Sequence, residues 1–411
     1  MDIDEILTAA ENAPPEAAID VVAAGLRRNL GATAVSFLLT DFSGHSVVRL
    51  AAIMAPTVQV SGCLEELLEA ERIPLADTLY DQVLRTQRRY RRRLDNGSVQ
   101  VLAPVTNRGD SIGILEVVCP DDPAPATLDR IGRTAHALAY VVIANRRFTD
   151  LYEWGRRSTP LALAAEVQHQ LLPLALTCES NQFTVSGALE PAHNIGGDTF
   201  DFALDRDAVH LSLTDVMGHD VEAALGAALL LAALRGGRRV GAGLEEQARR
   251  ADAAMREHHN IPDLYATGQL IRVDLRSGLA HIVNAGHLPP LRLREGHVEE
   301  VLLEPDLPFG IPFPHSYTAQ PFKLRPGDRV MLLTDGMLGS GVDLPGLMVS
   351  TRDLHPRQAA LALTGAVFHA NDGRLRDDAT VLCLDWYGIG RPPRDADTGA
   401  DLTLASPATG L

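Results

Sequence analysis

The stretch Gly196-Gly197-Asp198-Thr199-Phe200-Asp201 is followed by the apolar run Leu211-Ser212-Leu213-Thr214-Asp215-Val216-Met217-Gly218-His219. Two similar stretches occur much later, Leu332-Leu333-Thr334-Asp335-Gly336 and Asp377-Asp378-Ala379-Thr380. Asp215 and Asp335 each end an apolar, β-rich run, whereas Asp378 begins one. Because the ends of strands can meet at one edge of a sheet, these stretches predict a cluster of four carboxylates.

Such a cluster has a definite chemistry. Carboxylates in a small space repel one another, and their pKa values rise unless cations lie among them. Oxygen-only ligand sets suit Mg²⁺ or Mn²⁺. Two ions bridged by one aspartate can lower the pKa of a shared water and hold it in line with a phosphoryl group. The alternative is that Asp215, Asp335 and Asp378 are ordinary turn aspartates. The glycines beside Asp198 and Asp335 favour the metal site, because glycine allows close backbone approach.

Further motifs occur in a fixed order around these aspartates: Ala165-Glu166-Val167-Gln168-His169-Gln170-Leu171-Leu172-Pro173, Glu190-Pro191-Ala192, Gly196-Gly197-Asp198 with Asp201, Asp215-Val216-Met217-Gly218-His219, Ala266-Thr267, Asn284-Ala285-Gly286-His287, Leu307-Pro308-Phe309-Gly310, Thr334-Asp335-Gly336 and Asp377-Asp378-Ala379-Thr380. Over about residues 160–386 this order resembles the sporulation stage II E branch of the metal-dependent PPM (PP2C-like) protein phosphatases. That branch includes regulators of bacterial sigma factors. The resemblance implies a C-terminal α-β-β-α sandwich with phosphoserine/phosphothreonine phosphatase activity.

The resemblance also implies a site of two Mn²⁺ or Mg²⁺ ions. It assigns the metal ligands to six residues: Asp198, Asp201, Asp215, Val216 through its carbonyl, Asp335 and Asp378. Asp215 is the bridging carboxylate, and Asp335 and Asp378 complete the second metal. Asp201 acts through a bound water or holds the Gly-Gly loop. Asp198, Asp215, Asp335 and Asp378 are also the catalytic residues, through a metal-activated water.

The sequence departs from the family pattern at two positions. Asp220 stands where the family usually has glycine, and Gly339 stands where an acidic residue is common. Neither change removes a ligand. No arginine matches the one that some PPM enzymes use to hold substrate phosphate. His219 and His287 follow glycines in motif positions, and we expect each to be a buried, hydrogen-bonded side chain rather than a metal ligand.

The N-terminal part has a different pattern, of helix, two strands, helix and a hairpin. Over about residues 15–145 it resembles a GAF domain, which implies a sensory input through a small ligand or a partner. A purely structural or dimerising module is the alternative. A short heptad seam follows, formed by Leu128, Ile131, Ala135, Leu138, Val142 and Asn145. This seam can pack on its own sheet or pair in a parallel homodimer, and we expect a mixture of both, with the protein as a homodimer.

These patterns predict an α+β protein in four parts. They are a GAF-like α/β sensor domain at residues 1–150, a linker and switch helix at 151–175, a PPM-type phosphatase domain at 176–388 and a disordered tail at 389–411. One helix is predicted over residues 127–154. A second is predicted from Pro160 to Leu172, capped by Thr159 and stopped by Pro173. The resemblance implies that this second helix couples the sensor to the metal site.

Composition limits the possible partners and locations. The 411 residues carry a net charge of −16, which disfavours nucleic acids and anionic membranes. The acidic N-terminus predicts no signal peptide, and the longest apolar run is too short for a membrane span. Four scattered cysteines indicate neither zinc nor disulfides, so we expect a cytoplasmic protein. The basic run from Arg88 to Arg93 is a solvated face or a docking surface for an acidic partner.

Three functional hypotheses follow. The first is a Mg²⁺/Mn²⁺-dependent phosphatase that acts on a phosphorylated STAS-type anti-anti-sigma protein, as the resemblance implies. The second is a catalytically weak GAF sensor that binds partners, which the changes at Asp220 and Gly339 permit. The third is a metal-dependent hydrolase of small phosphoesters. Activity toward phosphoproteins and toward metabolites would distinguish the three.

Overall fold

The computed structural model describes residues 3–54, 71–157, 161–192, 196–218, 220–257 and 264–408, without the side chains of 51–54. The chain divides into two compact units. The N-terminal unit contains Met1–Pro160 together with Arg394–Leu411, and the C-terminal unit contains Leu161–Pro393. Each unit has its own hydrophobic core.

The N-terminal unit is built on an antiparallel sheet with strand order β3-β2-β1-β6-β5-β4. The strands are β1 Ala34–Thr40, β2 Ser46–Met54, β3 Arg72–Pro74, β4 Tyr90–Arg93, β5 Val99–Asn107 and β6 Asp110–Cys119. The helices are α1 Ile3–Glu11, α2 Ala18–Leu30, α3 Leu79–Thr86, α4 Pro125–Asn145 and α5 Leu151–Gly155. Helices α1, α2 and α4 share one core with the sheet, and α3 contributes to a second cluster. The unit is therefore of mixed α/β type, and its assignment as a GAF domain remains a prediction.

Helix α4 shows how the heptad seam is used. Ile131, Ala135, Leu138 and Val142 are buried in the core that α4 shares with its own sheet. The structure therefore agrees with the first alternative for the seam. The prediction of one helix over 127–154 is wrong, because α4 ends at Asn145 and α5 begins at Leu151. The hydroxyl of Thr149 accepts a hydrogen bond from the Leu151 N–H (3.2 Å), just before the new helix begins.

The C-terminal unit contains two antiparallel sheets packed face to face. The first sheet has the order β15-β12-β11-β10-β9 and the second β14-β13-β16-β17-β8-β7. The first sheet is formed by β9 Asp198–Leu204, β10 Ala208–Val216, β11 Ala266–Asp274, β12 Leu279–Ala285 and β15 Gln320–Lys323. The second is formed by β7 Thr177–Glu179, β8 Phe183–Glu190, β13 Leu291–Arg294, β14 His297–Glu300, β16 Asp328–Leu333 and β17 Ala379–Trp386. Apolar residues of both sheets, such as Phe200 and Leu382, form the core between them.

Helices cover the outer faces of both sheets. The helices of this unit are α6 Leu163–Leu171, α7 Asp220–Arg239, α8 Leu244–Glu257, α9 Leu344–Ser350 and α10 Pro356–Ala370. Helices α7 and α8 pack on the first sheet, and α9 and α10 pack on the second. The predicted architecture of two antiparallel sheets flanked by helices is confirmed.

Helix α6 is shorter than the sequence pattern suggests. It runs from Leu163 to Leu171, whereas the prediction began at Pro160. The predicted capping residues Thr159 and Pro160 lie outside the described residues. Leu172 has an extended backbone (φ −61°, ψ 158°), as expected for the residue before Pro173.

The C-terminal segment differs from the prediction of a disordered tail at 389–411. The structure places Arg394 and the residues after it in the N-terminal unit, with Ala400, Asp401 and Ser406 buried. The prediction was based on low apolar content. Composition does not reveal hydrogen bonds that a polar segment makes with the backbone of a folded unit.

Two smaller expectations concern membranes and cysteines. In the described part of the chain, no helix has both the length and the apolar character needed to cross a bilayer. Cys119, Cys178 and Cys383 are buried and form no disulfide in the described residues, and Cys63 lies outside those residues.

Candidate functional site

The four predicted aspartates lie on strand ends at one end of the sandwich. Asp198 begins β9 and pairs directly with Asp215 on the neighbouring strand β10. Asp335 begins a short 3₁₀ turn after β16, and Asp378 immediately precedes β17. β16 and β17 are neighbours, so Asp335 and Asp378 also lie close together. Like charges directly opposite in a sheet are destabilising, which indicates a use other than stability.

Asp198 connects the two sheets. Its Oδ2 accepts hydrogen bonds from the hydroxyls of Thr334 (2.7 Å) and Thr380 (2.5 Å), both from the second sheet side of the unit. The carboxyl group is almost fully buried, with 2% of the residue exposed. The two hydroxyls therefore fix the position of one carboxylate between the strand ends.

Asp378 is held by a different pair of donors. Its Oδ1 accepts from the Ala192 N–H (2.8 Å), and its Oδ2 accepts from Nε2 of Gln168 (2.6 Å). The same Gln168 nitrogen also donates to the backbone carbonyl of Asp198 (2.8 Å). Gln168 lies on α6 and is fully buried, so one side chain of this helix contacts two members of the cluster.

Two glycines allow the strand ends to approach. A Cβ atom at Gly197 would lie 2.4 Å from the carbonyl oxygen of Val216, and one at Gly336 would lie 2.1 Å from that of Asp378. Neither distance is possible for a real side chain. The contact at Gly197 also places the Val216 carbonyl, a predicted ligand, beside the glycine loop.

The electrostatics follow from this crowding. Burial, together with the charges of Asp335, Asp377 and Asp378, raises the pKa of Asp215 to about 7. Burial raises the pKa of Asp378 to about 6. Burial and the charges of Asp215 and Asp378 raise the pKa of Asp198 well above its usual value. These groups therefore hold protons unless a cation balances their charge.

The donor set fits hard divalent ions. Only oxygen atoms face the cluster from its four aspartates, and in the described residues no Lys, Arg or His forms an ion pair with them. Oε1 of Gln168 is buried beside them and has no hydrogen-bond partner in the described residues. Within those same residues, no group of three or more His, Cys, Asp or Glu side chains is close enough together to coordinate a metal ion without some movement.

Asp201 lies elsewhere. It is three residues from Asp198 on β9, so its side chain projects from the opposite face of the strand. Its carboxylate accepts from Arg235 through Nε (3.1 Å) and Nη2 (3.0 Å), and from Arg238 through Nη2 (2.7 Å). Arg235 also donates to the carbonyl of Leu171 at the end of α6 (2.8 Å). The structure thus uses Asp201 to join β9 and α7 and does not bring it into the cluster.

The histidine and loop expectations have separate outcomes. His287 is buried; its Nε2–H donates to the Leu333 carbonyl (3.0 Å) and its Nδ1 accepts from the Thr267 hydroxyl (2.7 Å). Burial lowers the pKa of His287 to about 4, so it is neutral, as expected of a structural histidine. His219 lies outside the described residues. Asp220 has φ +60°, a left-handed conformation that aspartate tolerates in place of glycine.

Some residues at the site were quoted in motifs without a predicted role. Gln168, Thr334 and Thr380 donate hydrogen bonds to the cluster, and Asp377 adds charge beside Asp215. Thr334 and Thr380 each lie within two residues of a predicted ligand in the sequence, and that spacing could have indicated that they contact the site. No sequence signal points to the Arg235 and Arg238 contacts with Asp201, because these residues are far apart in the chain.

Residues 205–387 match the family model for stage II sporulation protein E (SpoIIE). The matched residues lie in the C-terminal unit, and the part of the chain that they cover is called the SpoIIE domain below. The match includes Asp215, Asp335 and Asp378, and it begins after Asp198 and Asp201. No curated protein matches the chain.

Solved structures similar to this chain include other domains of the PP2C type. One contains the PP2C phosphatase domain and a fragment of the regulatory domain of SpoIIE from Bacillus subtilis, at 20% identity, 51% of this chain, 66% of that chain and TM-score 0.44. Another contains the RsbU and RsbW domains of a Mycobacterium tuberculosis protein; the sequence identity is 25%, the match covers 53% of this chain and 63% of that chain, and the TM-score is 0.44. A third is the catalytic domain of the phosphatase PstP with two manganese ions; the identity is 16%, the match covers 50% of this chain and 99% of that chain, and the TM-score is 0.41. The chain thus spans slightly less than two thirds of the first two, and the SpoIIE domain assignment relies on the family match.

Proposed function

We propose that this protein is a metal-dependent phosphoserine/phosphothreonine protein phosphatase. The observation that carries the proposal is the direct pairing of Asp198 with Asp215 on neighbouring strands. Beside it, the turn that contains Asp335 lies in close contact with the backbone of Asp378. Asp198, Asp215 and Asp378 have raised pKa values, and none of these three forms an ion pair with a Lys, Arg or His in the described residues. They lie in or beside a SpoIIE domain.

Two Mn²⁺ or Mg²⁺ ions would be held by Asp198, Asp215, Asp335 and Asp378, with Asp215 shared between them and the Val216 carbonyl as a further ligand. When bound, such ions lower the pKa of a shared water and stabilise the charge of the phosphoryl group. The chain's own residues set the geometry. Thr334 and Thr380 orient Asp198, and Gln168 with the Ala192 N–H orients Asp378.

We propose a phosphorylated STAS-type anti-anti-sigma protein as the substrate. The support is the family of the matching model together with the motifs from Gln168 to Thr380, because the SpoIIE branch includes regulators of sigma factors. The N-terminal unit would act as the sensor, through a small ligand or a partner, in a cytoplasmic homodimer. Buried cysteines that form no disulfide in the described residues suit a reducing compartment.

The test uses the full chain with p-nitrophenyl phosphate, a phosphoserine peptide and a phosphorylated STAS protein, each over a range of Mn²⁺ and Mg²⁺ concentrations. Asp215→Asn removes the bridging charge and keeps the shape, so turnover should fall by roughly 10³-fold or more while the melting temperature is retained. Asp207→Asn is the matched control, since Asp207 is exposed at the far end of the same hairpin. Its rate should stay within about twofold of wild type, as for a surface change.

The outcomes separate the hypotheses. Wild-type turnover in Asp215→Asn would show that the metal assignment is wrong. No activity on any phosphoprotein, with Mn²⁺ binding absent, would favour the weakly active, partner-binding sensor. Activity on metabolites alone would favour a small-phosphoester hydrolase. A phosphorylated STAS protein should be cleaved with a kcat/KM at least about tenfold above that of the peptide, because docking adds binding energy remote from the phosphate.

A further inference from the structure

The segment Arg394–Pro407 follows the SpoIIE domain in sequence and belongs to the N-terminal unit in space. Two backbone hydrogen bonds join it to that unit. The Gly109 N–H donates to the Gly399 carbonyl (3.0 Å), and the Ser406 N–H donates to the Arg85 carbonyl (3.2 Å). Between them, Ala400 and Asp401 are 1% and 3% exposed, which shows that the segment occupies a groove rather than a flat surface.

The groove is shaped for a glycine. A Cβ atom at Gly399 would lie 1.9 Å from the carbonyl oxygen of Thr106 and 2.8 Å from Nδ1 of His136. The backbone of Gly399 also has φ +95°, a value that favours glycine. Nδ1 of His136, on α4, lies 3.2 Å from the same Thr106 carbonyl. The β5–β6 hairpin and α4 therefore form the walls of the groove.

The bound segment has its own local order. The carboxylate of Asp401 accepts from the N–H (3.0 Å) and the hydroxyl (2.7 Å) of Thr403. The Leu404 N–H donates to the Asp401 carbonyl (2.9 Å). A turn stabilised by its own side chain loses less entropy on docking than a flexible chain would.

We propose that this groove is a binding site for the chain's own segment Arg394–Pro407, and that the docked segment is a second tether between the N-terminal unit and the SpoIIE domain. The first tether is the connection from α5 to α6. The second is the connection from β17 to Arg394, whose residues 387–393 can span about 25 Å at most. A change in the N-terminal unit would then act on both ends of the SpoIIE domain.

The physical basis is effective concentration. A segment joined by a short connection meets its groove at about 1 mM, so a groove with a Kd of about 0.1 mM is roughly 90% occupied. A ligand or partner that weakens this affinity about 100-fold would leave the groove roughly 10% occupied. The segment can therefore be released by a modest change at Thr106, Gly109 or His136.

The test is amide hydrogen exchange on the full chain and on two matched variants. Gly399→Ala adds a methyl group that cannot fit, whereas Gly390→Ala adds the same group where nothing lies within 4 Å. In Gly399→Ala, the amides of Gly109 and Ser406 should exchange at least about tenfold faster, because each loses its partner. Amides of α6 should also change their exchange rate, by about threefold or more, because one tether is lost. Gly390→Ala should match wild type at all of these positions.

Unchanged exchange at Gly109 and Ser406 would overturn the binding site. Faster exchange there with α6 unaltered would overturn the tether. If Gly399→Ala does not fold, Ser406→Pro removes the N–H that bonds Arg85, and faster exchange at Gly109 with a changed exchange rate in α6 is then expected. None of these exchange rates depends on phosphatase activity. An inactive wild-type protein would therefore count against the proposed function, whereas the exchange rates alone decide whether the segment is a second tether.

Discussion

Adding one methyl group at Gly336 tests whether the close approach of two strand ends builds the metal site. The new Cβ atom would lie 2.1 Å from the Asp378 carbonyl oxygen, 2.9 Å from its carbonyl carbon and 3.2 Å from the carbonyl carbon of Asp377. All three are backbone atoms, so no side chain can swing aside. Relief of the shortest contact requires the turn after β16 to move by about 1 Å relative to Asp378. Overpacking of this kind costs about 1–3 kcal/mol.

That displacement should affect function more than stability. In Gly336→Ala the melting temperature should fall by about 2–4 °C per kcal/mol, which the fold tolerates. The phosphatase rate at saturating Mn²⁺ should fall by roughly 100-fold, since a 1 Å error in the position of Asp335 misplaces a catalytic ligand. Calorimetric Mn²⁺ titration and steady-state kinetics measure the two effects separately.

Gly236→Ala is the control, because a Cβ atom there meets nothing within 4 Å and lies inside helix α7. It should leave the rate unchanged and stabilise the protein by about 0.5–1 kcal/mol. The reasoning is refuted if Gly336→Ala binds Mn²⁺ and turns over substrate as wild type does. It is also refuted if both glycine variants lose activity equally.

Two further predictions concern charge. Burial and neighbouring carboxylates raise the pKa of Asp215 to about 7, and burial raises that of Asp378 to about 6, so the metal-free folded protein holds protons that the unfolded chain has released above about pH 4. The free energy of unfolding of the metal-free protein, measured in urea, should therefore fall as the pH rises from about 4 to about 7, and it should fall less steeply in Asp215→Asn. Added Mn²⁺ should restore the lost stability. A rise in the free energy of unfolding over that pH range would contradict the crowding of the carboxylates. Asp201→Asn weakens the pairing with Arg235 and Arg238 and should cost about 1–3 kcal/mol of stability while the Mn²⁺ requirement stays at the wild-type value. A tenfold weaker Mn²⁺ affinity in a folded Asp201→Asn protein would instead support a water-mediated ligand role.

Local patterns in the sequence predicted much of the fold. The alternation before Asp215 and Asp335 and after Asp378 predicted strands, and β10, β16 and β17 occupy those positions. Such patterns depend on neighbouring residues only, so they are readable without a structure. The same patterns did not predict a break inside a helical stretch. The helix predicted over residues 127–154 ends at Asn145 and a new one begins at Leu151, and apolar periodicity carries no information on that break.

The hydrogen bonds around the site could not be read in this way. Gln168 is far in sequence from Asp378, and Thr380 is far from Asp198, yet each donates to that carboxylate. The partners of Asp201 could not be read from the sequence either. A separation of three residues from Asp198 places the two side chains on opposite faces of β9, where Arg235 is the partner.

By itself, the sequence determined the strands that end in acidic side chains and the glycines beside those acids, and it predicted that these acids carry the chemistry. Only the tertiary structure decided which of those acids meet, that Asp201 is paired with arginines, and that the segment after Pro393 docks on the N-terminal unit. The reason is physical. Backbone propensity and apolar periodicity are local properties, whereas contacts between distant residues depend on how sheets and helices pack together.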